Sequence, residues 1–215
     1  MVPNGVSIVT TTLNERENIE KLISITRSVL QSLEHEIIVV DDNSQDGTIQ
    51  IANRLADVAV TKTREGQSKG LLYGMKMAKY PIIITIDADL ESNPADIPKL
   101  IQKINEFDIV VASRTKLPRI SEKISSKTLG KLVGATDTFS NFRAYKKETV
   151  SKFNLRGGET FGAEFLVIAK KKGLTIGEIQ CDPSPRRNTP RIGGKIKANI
   201  RIFWALIKSL LIYLV

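Results

Sequence analysis

Apolar runs and mixed segments alternate along this chain in a way that predicts an α/β fold. Runs rich in Val and Ile, typical of buried parallel strands, occupy residues 6–11, 36–42, 58–61, 82–86, 108–114 and 174–180. Apolar residues spaced three or four apart predict helices over residues 14–30, 49–55, 71–79, 94–104 and 160–172. The alternation favours a mostly parallel, Rossmann-like sheet flanked by helices.

Three local patterns add detail to this outline. Asn14 and Glu17 have the spacing of a capping box, which places the start of the first helix beside them. Residues 66–70 contain two glycines and a lysine, and we expect a flexible, partly basic loop there. Residues 137–145 alternate between polar and apolar positions, which predicts a further strand.

Acidic residues lie at the ends of three predicted strands. Glu15 follows the first strand, Asp41 and Asp42 end the second, and Asp87 and Asp89 follow the strand over residues 82–86. Parallel strands end at one edge of a sheet, where α/β proteins bind ligands. Each residue alone is also typical of a helix cap. Their joint occurrence favours a site that accepts hydrogen bonds from ribose hydroxyls and base N–H groups.

The stretch 86–91 predicts a metal site at this edge. In an extended chain, Asp87, Asp89 and Glu91 point to one side. Three like charges repel one another unless a cation lies among them, and hard oxygen ligands suit Mg²⁺ or Mn²⁺. The alternative is a polar loop that caps the next helix.

Glycine-rich nucleotide signatures are missing from the sequence. No G-x-G-x-x-G motif follows the first strand, and no G-x-x-x-x-G-K-[ST] motif occurs. We therefore expect neither a dinucleotide dehydrogenase nor a P-loop enzyme.

The composition limits the number of domains, the cellular compartment and the kind of partner to be expected. The chain has 215 residues, of which 41% are hydrophobic, and this suits one globular domain. The single cysteine, Cys181, excludes an internal disulfide and favours a reducing compartment. The first residues show no export signal. A net charge of +9 predicts an anionic partner.

The positive charge is concentrated near the C-terminus. No acidic residue follows Asp182, whereas that segment contains Arg186, Arg187, Arg191, Lys195, Lys197, Arg201 and Lys208. The apolar tail over residues 202–215 is shorter than the roughly 20 residues that span a bilayer, and Lys208 interrupts it. We expect a catalytic domain over 1–192 and, over 193–215, a helix at a membrane interface. The alternative is a helix docked on the protein's own core or on a partner subunit.

Together, several stretches resemble the family 2 glycosyltransferases of GT-A fold, and within them the dolichyl- or polyprenyl-phosphate mannose synthases. The matching stretches are residues 7–19, 37–48, 86–91, 110–114 and 137–145. Residues 191–195 look like the family's basic, glycine-containing loop. The chain departs from the family at Thr11–Leu13, where Pro-Thr-Tyr is usual, at Asn141, usually Gly, and at Glu91, often Gln.

The resemblance implies a role for each matching residue. The implied nucleotide-sugar-binding residues are Thr11, Leu13, Glu15, Val40, Asp41, Asp42, Asp87, Ala88 and Asp89. The implied ligands of Mg²⁺ or Mn²⁺ are Asp87, Asp89 and Glu91. The implied acceptor-phosphate-binding residues are Arg114, Arg143, Arg191 and Lys195, and those implied in catalysis are Asp89, Arg114 and Arg143.

The activity that the resemblance implies is inverting, metal-dependent transfer of a hexose to a dolichyl or polyprenyl phosphate. Mannose from GDP-mannose is the expected donor, and the cytoplasmic face of a membrane is the expected location, with a membrane-anchoring subunit as a further expected partner. A lipid phosphate is already ionised, so it needs no general base. This agrees with a sequence whose one histidine, His35, precedes the second strand, away from the acidic edge.

Three alternatives stay open at this point. The first is transfer of glucose from UDP-glucose, instead of mannose from GDP-mannose, to a polyprenyl phosphate. A hydroxyl acceptor would need a general base, for which Glu159 or Glu164 are candidates. A membrane- or nucleic-acid-binding protein without chemistry would also be cationic. Aromatic residues make up 6% of the chain and offer no stacking platform among the cations, so we expect no nucleic-acid partner.

Overall fold

The computed structural model describes residues 4–182 and 195–214. Its strands are β1 Val6–Thr12, β2 His35–Asp41, β3 Val58–Thr61, β4 Ile82–Thr85, β5 Ile109–Arg114, β6 Arg143–Lys146 and β7 Ile176–Cys181. Its α-helices are α1 Arg16–Val29, α2 Thr48–Leu55, α3 Gln67–Met77, α4 Ile97–Lys103, α5 Ile120–Ser125, α6 Lys131–Val133, α7 Ala163–Lys171 and α8 Lys195–Leu214. Short 3₁₀ helices cover Pro94–Asp96 and Lys147–Lys152, and a π-helical turn covers Ser126–Gly130.

The strands form one mixed sheet in the order β3-β2-β1-β4-β6-β5-β7. Strand β6 runs antiparallel to β4 and β5, whereas the other neighbouring pairs are parallel. The carboxyl ends of every strand except β6 therefore share one edge, and β6 starts there. The prediction of a mostly parallel sheet flanked by helices is confirmed.

Successive side chains of the β-branched strands point to opposite faces of the sheet, so an apolar core forms on each face. Val9 and Ile38 lie in one apolar cluster, whereas their neighbours Ile8 and Ile37 lie in the other. All four side chains are at most 2% exposed. Each fully buried side chain of this size contributes about 1.5–3 kcal/mol of transfer free energy. Burial on both faces explains why these runs lack a polar side.

The strand predicted over residues 137–145 forms only from Arg143. Upstream, Asp137 Oδ1 accepts hydrogen bonds from the backbone N–H groups of Phe139 and Ser140, at 3.3 and 3.1 Å. Ser140 Oγ donates to the carbonyl of Ala112 at 2.8 Å. These side chains compete with the strand ladder for backbone partners and hold a turn instead.

Two helix starts also differ from the sequence prediction. Glu15, rather than Asn14, precedes α1, and Asn14 has a left-handed backbone (φ 53°). The Asn14 amide oxygen accepts from the N–H of Gln45 at 2.9 Å, so it serves a neighbouring loop instead of capping the helix. Helix α3 begins at Gln67, within the predicted flexible loop.

Helix α8 packs one face on the protein itself. Its inward residues Ala198, Ile202, Ala205, Leu206 and Ser209 are at most 3% exposed. Its outward residues include Ile200, Phe203, Trp204 and Leu211, which are 46–58% exposed. Among the described residues, no helix has the length and apolar character needed to cross a bilayer. The alternative of a helix docked on its own core thus describes one face of α8, and the other face exposes apolar side chains together with Arg201 and Lys208.

Candidate active site

A pocket of about 560 Å³ lies at the edge where the parallel strands end. Ten residues that the sequence predicted line it, namely Thr11, Leu13, Glu15, Val40, Asp42, Asp87, Ala88, Asp89, Glu91 and Arg114. We call residues 11–15, 40–42 and 62–67 the N-terminal wall, and residues 114–122, 139–141, 159–161 and 201–202 the C-terminal wall. Residues 87–91 form the floor between them.

The N-terminal wall is built by two loops that hold each other. Asn14 donates its backbone N–H to Ser44 Oγ at 2.8 Å, and its side chain accepts from Gln45. The N–H of Glu15 donates to Thr48 Oγ1, also at 2.8 Å. These hydrogen bonds fix the loops after β1 and β2 together with one from the N–H of Arg16 to the Asp46 carboxylate, and Glu15 is buried at 7% exposure.

The neighbouring aspartates of this wall differ in position. Asp42 lines the pocket and pairs with Lys62 Nζ at 2.5 Å, with both side chains 12% exposed. Asp41 is fully buried and accepts hydrogen bonds from Thr12 Oγ1 and from the N–H and hydroxyl of Ser44. The structure therefore corrects the assignment of Asp41, which fixes the loop behind the pocket and is not among its described lining residues.

The floor does not follow the extended course predicted for it. Strand β4 ends at Thr85, and Leu90 takes a left-handed backbone conformation (φ 62°), which is rare for a residue with a Cβ. Strain of this kind clusters at functional sites. The turn lets the N–H of Glu91 donate to Asp89 Oδ1 at 3.1 Å.

The electrostatics of the floor fit a divalent cation. Burial, and then the charge of Asp89, raise the pKa of Asp87 to about 7. Gln67 Nε2 donates to Asp87 Oδ1 at 2.6 Å, and a hydrogen bond from Asn141 acts to lower the same pKa. A bound cation would relieve the repulsion between the two carboxylates, and Mg²⁺ commonly takes one or two carboxylates together with substrate phosphate oxygens.

The predicted three-carboxylate set does not assemble as such. Within residues 4–182 and 195–214, no three His, Cys, Asp or Glu side chains converge closely enough to hold a metal ion. Glu91 lines the pocket with Asp87 and Asp89, and metal binding by these residues stays a prediction. The residues present fit a cation whose remaining ligands come from a bound diphosphate.

Buried ion pairs organise the C-terminal wall. Arg114 donates to both oxygens of Asp137, at 2.6 and 3.2 Å, and to Glu122 at 3.3 Å. Burial acts to lower the pKa of Arg114, but its hydrogen bonds and charge interactions with the two carboxylates outweigh this and raise the pKa above its ordinary value. Glu122 also accepts from Arg119 Nη1 at 2.7 Å. Arg114 and Arg119 both line the pocket in fixed positions.

Arg143 has a different place from the one implied by the resemblance. Its side chain is fully buried and donates to the carbonyls of Gly162 and Thr138, at 2.7 and 3.0 Å. It is not among the described lining residues, although its charge acts to lower the pKa of Asp87, and its contact with an acceptor phosphate stays a prediction. Gly162 has a φ of +81°, and a Cβ there would lie 2.1 Å from Asn141 Oδ1. Arg143 therefore joins two loops of the C-terminal wall from behind.

The two candidate general bases, Glu159 and Glu164, both accept hydrogen bonds from other groups of the protein. Glu164 is 1% exposed and accepts from the backbone N–H groups of Arg156 and Gly157, so it does not face the pocket. Glu159 lines the pocket, but its carboxylate accepts from Ser68 Oγ and from the N–H of Phe161, both at 2.7 Å.

Several lining residues were missed by the sequence analysis. Lys62 and Arg64 follow β3, and cations directly after a strand indicate the same edge of the sheet as the acidic residues do. Gln67 lies in the segment predicted as a loop, and Arg201 lies in the predicted C-terminal tail, yet both line the pocket. Arg191 and the side chain of Lys195 lie outside the described residues.

Comparisons with known proteins agree with the motifs. The family model of glycosyl transferase family 2 matches residues 7–165. The chain is 36% identical over 170 residues to a dolichol-phosphate mannosyltransferase of Pyrococcus furiosus, covering 70% of this chain and 48% of that protein. It is 34% identical over 120 residues to an undecaprenyl-phosphate 4-deoxy-4-formamido-L-arabinose transferase of Pseudomonas syringae pv. syringae, covering 51% of this chain and 36% of that protein. The chain thus spans about half of the first relative and about a third of the second.

Among solved structures, the fold is similar to that of glucosyl-3-phosphoglycerate synthase from Mycobacterium tuberculosis in complex with Mn²⁺, UDP and phosphoglyceric acid. The TM-score is 0.80 at 19% identity, with 97% of this chain and 78% of that chain covered. This likeness confirms the predicted GT-A fold. Because the family model covers well over half of its length, this chain belongs to glycosyl transferase family 2.

Proposed function

We propose that this protein is an inverting glycosyltransferase that moves a hexose from a nucleoside diphosphate sugar to a dolichyl or polyprenyl phosphate. Mannose from GDP-mannose is the proposed donor, after the name of the Pyrococcus furiosus relative. The observation that carries the proposal is a single pocket with carboxylates on its floor and two arginines, Arg114 and Arg119, fixed in the opposite wall.

The N-terminal wall suits the nucleoside. Glu15 and Asp42 offer carboxylate oxygens to ribose hydroxyls and base N–H groups, and Lys62 and Arg64 add positive charge near them. Asp87 and Asp89 would hold Mg²⁺ or Mn²⁺, which neutralises the charge of the diphosphate leaving group when bound. The Mycobacterium tuberculosis neighbour was crystallised with Mn²⁺ and UDP, in agreement with this arrangement.

The C-terminal wall suits an acceptor that is already an anion. A phosphate oxygen of the lipid attacks the anomeric carbon and forms the new C–O bond. The bond from that carbon to the diphosphate breaks, and its electron pair leaves with the nucleoside diphosphate. Attack opposite to the leaving group inverts the configuration. Arg114 and Arg119 present planar, permanently charged groups that bind phosphate oxygens.

The state of the carboxylates favours a phosphate over a hydroxyl acceptor. A hydroxyl would need a base to take its proton. In the described part of the C-terminal wall, the lining carboxylates are Glu122, held by two arginines, and Glu159, held by Ser68 and Phe161. Neither carboxylate is poised to accept a proton from substrate.

The uncovered face of α8 supports a site of action at a membrane. Phe203 and Trp204 are 46% and 58% exposed, and aromatic residues of this kind favour the bilayer interface. We propose that α8 rests on the cytoplasmic face of the membrane that presents the lipid. A membrane-anchoring subunit is the other occupant to test, since it would cover the same residues.

A radiolabel transfer assay tests the proposal directly. The protein is incubated with labelled GDP-mannose or UDP-glucose, Mg²⁺ or Mn²⁺, and either a polyprenyl phosphate in vesicles or phosphoglycerate as a hydroxyl acceptor. We expect a label that extracts with the lipid from GDP-mannose. Chelation or Asp89→Asn should lower it by about a thousandfold, because a metal at the leaving group contributes several kcal/mol to the transition state.

Glu20→Gln, an exposed change on α1, serves as the control and should keep full activity. Labelled lipid from UDP-glucose would reassign the donor. Transfer to phosphoglycerate without lipid product, or a lipid product insensitive to chelation, would contradict the proposal.

A further inference from the structure

Helix α8 lines part of the pocket and also exposes one of its faces. Arg201 and Ile202 both line the pocket beside the elements that carry Arg114 and Arg119. Ile202 is 3% exposed, which fixes this part of the helix in the wall, whereas Arg201 is exposed. The backbone next to Arg201 is therefore held in place while its guanidinium group meets solvent at the pocket.

A specific contact holds this part of α8 against α5. Asn199 Oδ1 accepts from the hydroxyl and the backbone N–H of Ser121, at 2.9 and 3.2 Å. Ser121 lies between Arg119 and Glu122, the ion pair of the C-terminal wall. The position of Arg201 is thus tied to the position of Arg119.

The charge of the other two arginines is already compensated. Arg114 and Arg119 form ion pairs with Asp137 and Glu122, so this cluster of four groups is neutral as a whole. It offers directed N–H groups but little net attraction for a dianion. Among the described carboxylates, none forms an ion pair with Arg201. Arg201 therefore adds the net positive charge that the cluster lacks.

We infer that Arg201 binds the phosphate of the lipid acceptor, and this inference rests on the proposed function. Arg114 and Arg119 orient the phosphate through fixed hydrogen bonds, and Arg201 supplies uncompensated charge from the neighbouring helix α8. Because the same helix exposes Phe203 and Trp204, docking of α8 and capture of the acceptor involve one element. The tail is then part of the acceptor site as well as an anchor.

The test compares the wild-type protein with Arg201→Ala, Arg201→Lys and a matched control. Arg54→Ala removes an exposed arginine from helix α2, away from the pocket. Three quantities are measured for each protein: the KM for polyprenyl phosphate, the KM for the sugar nucleotide, and direct binding of a short-chain isoprenyl phosphate by calorimetry. Vesicle cosedimentation of each variant shows whether α8 still docks.

We expect Arg201→Ala to raise the acceptor KM and the calorimetric Kd by about ten- to a hundredfold, the range for a hydrogen bond to a charged group. The donor KM and vesicle binding should stay unchanged, Arg201→Lys should recover part of the loss, and Arg54→Ala should match wild type. An unchanged acceptor KM in an active Arg201→Ala enzyme overturns the inference, as does an equal loss for donor and acceptor. A wild-type protein that binds the isoprenyl phosphate through Arg201 but transfers no sugar would instead contradict the proposed function.

Discussion

The two walls of the pocket are held by different forces. In the N-terminal wall, the loops after β1 and β2 interlock mainly through hydrogen bonds from backbone N–H groups, such as that from the N–H of Glu15 to Thr48, whereas the Lys62–Asp42 ion pair joins the loops after β2 and β3. In the C-terminal wall, Arg114 is held by Asp137 and Glu122, whose side chains are 1% and 3% exposed. Backbone hydrogen bonds thus join the two loops of the N-terminal wall, whereas buried ion pairs position the arginines of the C-terminal wall.

This difference predicts how each wall responds to damage. A neutral hydrogen bond contributes about 1 kcal/mol, so the N-terminal wall should weaken in small steps. Removing one partner of a buried ion pair leaves the other charge unpaired, at a cost of about 3–5 kcal/mol. Buried ion pairs in the C-terminal wall also suit the proposed chemistry. Arginines that bind an anionic substrate are preorganised when carboxylates hold them in position before the substrate arrives.

The largest expected effect comes from the C-terminal wall. Asp137→Asn leaves Arg114 without its bidentate partner, and we expect the free energy of unfolding to fall by about 3 kcal/mol. Chemical denaturation at neutral pH measures this loss. Glu65→Gln breaks the exposed pair with Lys69 and should cost about 0.5 kcal/mol or less. A loss below 1 kcal/mol for Asp137→Asn would show that buried charge does not hold this wall.

The two walls also differ in how many of their lining residues can be predicted from the sequence. The lining of the N-terminal wall was predicted well, because Thr11, Glu15 and Asp42 lie at the ends of strands whose direction follows from their apolar runs. Asp41 was expected beside them and lies behind the pocket, because the sequence does not say which of two adjacent aspartates a neighbouring loop will engage.

The C-terminal wall was predicted poorly for a physical reason. Its form depends on contacts distant in sequence, such as that of Arg143 with Gly162 and that of Ser121 with Asn199. No local period encodes these contacts. Arg143 begins β6 at the correct edge of the sheet, but only the packed structure shows that its side chain points into the protein and not into the pocket.

A smaller effect should appear where the two walls meet. At the start of α3, Gln67 donates to Asp87 in the floor, and the next residue, Ser68, donates to Glu159 in the opposite wall. Gln67→Leu removes the hydrogen bond that orients Asp87. Outer partners of metal ligands typically affect affinity by ten- to a hundredfold, so we expect the Mn²⁺ concentration for half-saturation to rise about tenfold.

Electron paramagnetic resonance of free Mn²⁺, in the presence of GDP, measures this affinity without turnover. Gln50→Leu, an exposed change on α2, is the matched control and should leave it unaltered. Unchanged Mn²⁺ binding in Gln67→Leu would remove Asp87 from the proposed metal site, or show that Asn141 alone suffices to orient it.

The smallest effect is expected at Asp46, in the loop after β2 that supports the N-terminal wall, and it depends on pH. Burial acts to raise the pKa of Asp46, but hydrogen bonds from Thr48 and from the N–H of Arg16 outweigh it, so the pKa lies below its ordinary value. A lowered folded pKa means that the unfolded chain binds protons more readily. The contribution of Asp46 is therefore present above the unfolded pKa of about 3.9 and is lost as the pH falls through the folded value.

Asp46→Asn should lower the free energy of unfolding by about 1 kcal/mol at neutral pH, and this difference from wild type should shrink in acid. Denaturant titrations at neutral pH and near pH 3, with Glu20→Gln as control, measure both values. A loss near 3 kcal/mol, as expected for Asp137→Asn, would mean that the loop after β2 depends on charge as strongly as the C-terminal wall does. A loss of equal size at both pH values would instead assign the effect to neutral contacts of the Asp46 side chain, because only the ionised form gains from the hydrogen bonds of Thr48 and Arg16.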